Sequence, residues 1–84
     1  MNNDRIVAIL NWHKKGISMD VDIPLNITAN ELIIGLNDGL KLGIDTRDLS
    51  KCHLKTENPI AFLRGNKTLS EYGLRNGTII NYTL

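Results

Sequence analysis

Between residues 17 and 25 every odd position is apolar: Ile17, Met19, Val21, Ile23 and Leu25 alternate with Ser18, Asp20, Asp22 and Pro24. A period of two is the mark of a strand, whose successive side chains point to opposite faces. This segment therefore forms a strand with one wet face, and the chain must supply a cover for the other. Pro24 has no amide hydrogen to give to a ladder, so the strand ends there or runs along an unpaired edge. Upstream, Arg5–Trp12 is apolar on both parities and rich in β-branched residues, which predicts a second strand. Its inward set stays open between Val7/Ile9 and Ile6/Ala8/Leu10. His13-Lys14-Lys15-Gly16 between the two is a polar reversal whose glycine can take a positive φ, so the pair reads as a hairpin.

A helix follows. Thr28, with Glu31 three residues later, is a capping-box signature. Leu32, Ile33, Leu36 and Leu40 then recur at helical spacing. Leu42-Gly43 marks the stop, with Gly43 suited to the left-handed position after a helix. Gly35 and Gly39 fall four apart on one helix face, which predicts close approach of a neighbouring strand there. Residues 44–51 read as turns. Cys52-His53-Leu54-Lys55 is a short strand with Leu54 inward and His53 and Lys55 outward, broken by Thr56-Glu57-Asn58-Pro59. Ile60–Leu63 is another short apolar segment, and Thr68–Leu74 is a one-turn helix closed by Gly73. Asn76-Gly77 is a strong turn dipeptide. Thr78–Leu84 is the last strand, with Ile80, Tyr82 and Leu84 inward and Ile79, Asn81 and Thr83 outward.

The order is strand, strand, helix, strand, strand, one-turn helix, strand. It predicts an α+β domain spanning residues 1–84, a mixed sheet of four to five strands packed on one helix. In such a sheet the first and last strands pair in parallel at the centre. The 84 residues are enough for one small core. Ten basic residues against nine acidic ones leave a charge of +1, without the concentrated basic excess of a dedicated nucleic-acid binder. A single cysteine, Cys52, excludes a disulfide framework within the chain and a cysteine-rich zinc site. It fits a reducing compartment. The longest apolar run, Ile6–Leu10, falls far short of the ~20 residues that span a bilayer, and the start lacks the plan of a secretory signal. A cytoplasmic location is expected.

This order resembles the β-grasp fold, and the C-terminal third resembles ubiquitin. Thr68-Leu69-Ser70-Glu71-Tyr72-Gly73-Leu74 is similar to the ubiquitin-family segment before the final strand, and Arg75–Ile80 to the turn that leads into it. Among ubiquitin-like proteins the chain most resembles the small bacterial YukD/EsaB family associated with type VII (WXG100) secretion. The matching features are its length, its beginning at the first strand, Met19-Asp20-Val21-Asp22-Ile23-Pro24 at the end of the second, and Asn76-Gly77 before the last. The resemblance implies a non-catalytic, non-conjugated module, accessory to or regulating such a system. Its implied partners are proteins, among them cytosolic parts of a secretion membrane complex, and not nucleic acid or membrane.

A conjugated modifier or a sulfur carrier presents a flexible tail ending in Gly-Gly, because its terminal carboxylate must enter the narrow site of an activating enzyme. Here Asn81-Tyr82-Thr83-Leu84 lies within the expected last strand, so that alternative is disfavoured. No catalytic set stands out. His13 reads as a wet turn residue and His53 as an exposed strand residue. Cys52 and His53 are adjacent in a strand and point apart. Asp20 and Asp22 share a solvated face, and Gly35, Gly39 and Gly43 do not form a phosphate loop. No cofactor or metal is expected.

Binding by surface remains. Ubiquitin's partner patch lies on its exposed sheet face and first hairpin tip. By position the resemblance carries that patch onto His53 and Lys55, onto Ile79, Asn81 and Thr83, and onto Lys14-Lys15. Only Ile79 among these is apolar, which departs from ubiquitin and implies more polar contacts. Trp12 is added as a candidate anchor, since tryptophan is enriched at binding hot spots; packing is its simpler role. Lys14-Lys15 could touch an anionic partner, and a solvated tip is the simpler reading.

Overall fold

The computed structural model describes residues 4–83. Its strands are β1 (Arg5–Trp12), β2 (Ile17–Pro24), β3 (Leu54–Glu57), β4 (Ala61–Leu63) and β5 (Ile79–Tyr82). They form one sheet in the order β2-β1-β5-β3-β4. β1 and β5 are parallel, with Ile9 beside Ile79 and Trp12 beside Tyr82. The other pairings are antiparallel. Helix α1 (Ala29–Leu40) covers one face, and a single α-helical turn, α2 (Leu69–Tyr72), precedes β5. Short 3-10 turns occupy His13–Lys15 and Leu49–Lys51. This is the ubiquitin-like β-grasp arrangement expected from the order of elements, with the sheet at its full five strands.

The parity left open in β1 is settled by α1. Ile6, Ala8, Leu10 and Trp12 are buried against Leu32, Ile33 and Leu36 of the helix, and Val7 is turned outward. On β5, Ile80 and Tyr82 point the same way as expected; Leu84 lies outside the described residues. On β2 only Ile23 is fully covered, and Ile17 is exposed. β2 is an edge strand, so its apolar stripe meets the core on one side only.

Two capping boxes hold the helices together. Thr28 Oγ1 accepts from the Glu31 amide, and Glu31 Oε1 accepts from the Thr28 amide. Thr68 and Glu71 repeat the arrangement at α2. The two caps are themselves bridged in antiparallel fashion, Thr28 to Thr68. Each box satisfies amides that a helix start leaves without partners.

Four local expectations are corrected. Gly35 and Gly39 are exposed, with open space where a side chain would project, so no strand packs close to them. Their turn of the helix faces away from the sheet. The left-handed residue ending α1 is Lys41, at φ 56°, before Gly43 repeats the conformation at φ 81°. β3 begins at Leu54, which leaves Cys52 and His53 before it, and it continues through Thr56 and Glu57, where Thr56 is an inward residue whose hydroxyl donates to Pro59 O at 2.8 Å. The break comes at Asn58-Pro59, a cis peptide with Asn58 at φ 58°. Finally, β5 pairs from Ile79, and Thr78 is instead a fully buried brace: its hydroxyl donates to Asn58 O and accepts from the Arg75 amide.

Candidate binding surfaces

The eight residues singled out in the sequence fall on two surfaces that share one sheet, with Thr83 just past β5 beside His53, Lys55 and Asn81. Odd positions of β1 and β5 and the outward positions of β3 and β4 make the face opposite α1. Across its middle runs a polar ladder. Asn11 Nδ2 donates to Asn81 Oδ1 at 3.2 Å, and Asn81 Nδ2 donates to Glu57 Oε2 at 2.8 Å. His13 Nε2 lies 3.0 Å from the same Asn81 oxygen, and Ser18 Oγ donates to Asn11 Oδ1. The ladder thus crosses β2, β1, β5 and β3, with Asn81 at its hub. Lys55 stands directly opposite Asn81 in register.

Apolar residues flank this ladder. Ile9 and Ile79 are half-buried neighbours in register, and Val7 beside them is exposed. At the other edge the Phe62 ring stacks on His53, centroids 4.4 Å apart, with the Arg64 guanidinium 5.9 Å from the same ring. Val7, Ile9 and Phe62 were missed in the sequence. For Val7 and Ile9 the β1 parity was undecidable. Phe62 turns outward because it pairs with outward Lys55, a register that the tertiary fold supplies and the local sequence does not.

The second surface is a groove of about 850 Å³ at the end of the sheet where β1 and β5 finish. Its floor is apolar: Trp12, Tyr82, Ile33 and Leu42. Trp12 and Tyr82 meet at a tilt, 6.1 Å between centroids, and Tyr82 Oη donates to Leu42 O at 3.0 Å. Lys14 and Lys15 rise on one side from the hairpin turn, and Lys41 on another from the end of α1. Lys15 Nζ sits 4.9 Å from the Trp12 ring centroid, a cation–π distance. The loop 43–53 makes the remaining wall.

That wall is held by its own bonds. Asn37 on α1 grips Ile44 twice, donating to its carbonyl and accepting from its amide. Asp48 accepts from the Ser50 amide to cap the 3-10 turn. Arg47 forks onto Asp45 at 3.0 and 2.8 Å, which holds the Asp45 carboxyl below the usual carboxylate range. Cys52 Sγ points inward, donating to Asp45 O at 3.3 Å. Burial, with the charges of Asp45 and Asp48, pushes its thiol pKa up. A thiol kept protonated is a poor nucleophile. Among the described residues no cluster of three or more histidine, cysteine or carboxylate side chains is arranged to hold a metal ion.

The structure therefore places Lys55, Ile79 and Asn81 on the outer sheet face, and Trp12, Lys14 and Lys15 at the groove. His53 belongs to both, lining the groove's rim and stacking on Phe62. Trp12 lies in the core parity of β1, on the opposite side of the sheet from Asn81.

A family model described as "WXG100 protein secretion system (Wss), protein YukD" matches residues 5–81. No curated protein matches the sequence. Among solved structures, the ubiquitin-like domain of tubulin-binding cofactor B is similar over 93% of this chain and 87% of its own, with a TM-score of 0.72 at 18% identity. The C-terminal ubiquitin-like domain of mouse tubulin-specific chaperone e aligns over 96% and 87%, with a TM-score of 0.70 at 13% identity. The UBL domain of Plasmodium falciparum Dsk2 aligns over 94% and 99%, with a TM-score of 0.63 at 16% identity. At these identities the likeness is one of fold.

Proposed function

The chain belongs to the YukD family of the WXG100 protein secretion system, and from that premise we propose that it is a non-catalytic protein-interaction module that assists or regulates such a system from the bacterial cytoplasm. The observation that carries this reading is the family match over residues 5–81. The surfaces support it. The outer sheet face carries exposed Val7 and Phe62 with half-buried Ile9 and Ile79 beside its polar ladder, apolar area that a partner can cover. No helix of the described residues is long and apolar enough to cross a membrane. The buried, protonated Cys52 gives no basis for thiol chemistry. Its partners are cytosolic parts of the secretion membrane complex, met through Lys55, Ile79 and Asn81 on the sheet and through Trp12, Lys14, Lys15 and His53 at its end. It acts without conjugation and without a cofactor.

The test is a photo-crosslinking residue at Lys55, used in cells and read by mass spectrometry, together with deletion of the gene. The expected outcome is recovery of a component of the secretion complex and impaired export of its substrates. Recovery of no such component, with normal export after deletion, would overturn the proposal.

A further inference from the structure

The groove at the end of the sheet gathers three lysines without carboxylate partners around one apolar floor, whereas Lys55, Arg64, Lys67 and Arg75, also without such partners among the described residues, do not border it. Arg47 is engaged by Asp45, and Lys51 lies 3.9 Å from Asp48. Among the described residues no carboxylate pairs with Lys14, Lys15 or Lys41. All three border the same apolar floor. Lys41 has a further peculiarity: it holds a left-handed backbone at φ 56°, where a lysine is strained by about 1–2 kcal/mol and a glycine is not.

We propose that this groove binds an acidic linear peptide segment of a partner protein, with one aromatic or branched aliphatic side chain seated on Trp12 and Tyr82. The rim of Lys14, Lys15 and Lys41 meets the carboxylates, and the floor takes the anchor. Size agrees: a volume of about 850 Å³ is in the range of sites that enclose a peptide side chain and its neighbours, and far exceeds what a lone phosphate fills. Preorganisation agrees too, since the Asn37 clamp and the Asp48 cap hold the wall before any partner arrives. A nucleic-acid duplex fits badly, because the recess is concave. The proposal rests on the reading of the chain as a protein-binding module, and adds the chemistry of what it binds.

Trp12 is the only tryptophan in the chain, so its emission reports occupancy of the floor directly. The full-length protein is titrated with the capped peptide Asp-Glu-Phe-Glu-Asp. The controls are a peptide with lysines replacing the acids, one with serine replacing phenylalanine, sodium phosphate, and a short DNA duplex. The expected result is a saturable change in Trp12 emission with the acidic phenylalanine peptide alone, weakened about tenfold or more in a Lys14→Gln/Lys15→Gln/Lys41→Gln variant and by added salt. That variant, altered only at exposed side chains, should melt as the wild type does. No response to the acidic peptide, an equal response to the lysine peptide, an unchanged affinity in the triple variant, or an equal response to phosphate or DNA would each overturn the proposal. Because the titration uses purified protein and synthetic peptide, a failure here leaves the cellular crosslinking result standing on its own.

Discussion

The outer sheet face and the end groove are built from neighbouring residues of the same two strands, yet the polar groups at their centres are served differently. On the face, Asn81 is bonded on both sides, to Asn11 and Glu57, with the His13 ring against the same oxygen that Asn11 reaches. In the groove, three ammonium groups border an apolar floor with no carboxylate partner among the described residues. A satisfied ladder gains little from a newcomer, because each new bond must replace one already made. An unpaired cation beside apolar surface gains more, because its counter-ion arrives into a partly dried site. The contrast teaches that an interaction surface is found by asking which groups the fold leaves unserved, and not by counting exposed polar residues.

The largest blow to both regions at once is Ile33→Asp. Ile33 is essentially inaccessible, packs in the core beneath the sheet, and forms part of the groove's floor. A lone buried carboxylate costs several kcal/mol, comparable with the ~5–15 kcal/mol that holds a small domain together. The expected outcome is loss of the cooperative urea transition. A near wild-type melt would mean that the helix face is wrongly assigned.

A smaller change separates the two regions. Asn81→Ala removes the hub of the ladder and leaves the groove's floor untouched. It should lower stability by about 1–2 kcal/mol in urea denaturation, since Asn11, Glu57 and His13 lose a partner but regain water. If the ladder is decorative, the midpoint will not move.

The smallest effect lies at the far end of the molecule, at the α2 cap, and serves as the control for both. The amide and hydroxyl of Thr68 donate to Glu71 and hold its carboxyl pKa below the ordinary value. A folded pKa below the unfolded one contributes stability above the unfolded value, about 4.3, and loses it as the pH falls through the folded value. Glu71→Gln lacks this dependence. Thermal melts between about pH 6 and pH 3 should therefore fall less steeply for the variant than for wild type. Parallel curves would show that the cap carboxylate contributes nothing through its charge.

Much of this was legible in the sequence, for a reason that differs from element to element. The 17–25 alternation and the Thr28/Glu31 box are local signals, and local signals survive folding. The parity of β1 was not legible, because both faces of Arg5–Trp12 are apolar and only the helix chooses between them. Gly35 and Gly39 misled because a four-residue spacing names a shared face but not which way that face looks. The end of α1 misled because glycine is the ordinary left-handed residue, and here a lysine takes that place. The groove was half legible: Lys14-Lys15 stood out, but Lys41 lies 26 residues beyond Lys15 and meets it only through the tertiary fold.

The position of β5 has a consequence for how the chain is made. It lies between β1 and β3, so among the described strands the middle of the sheet is the last to leave the ribosome. Until Tyr82 has emerged, the β1–β2 hairpin and the β3–β4 hairpin each carry a raw hydrogen-bonding edge that should face the other across a missing neighbour. The nascent protein is thus two open halves awaiting a keystone, and the interval before it arrives is when a chaperone, or a stray strand, has most to hold.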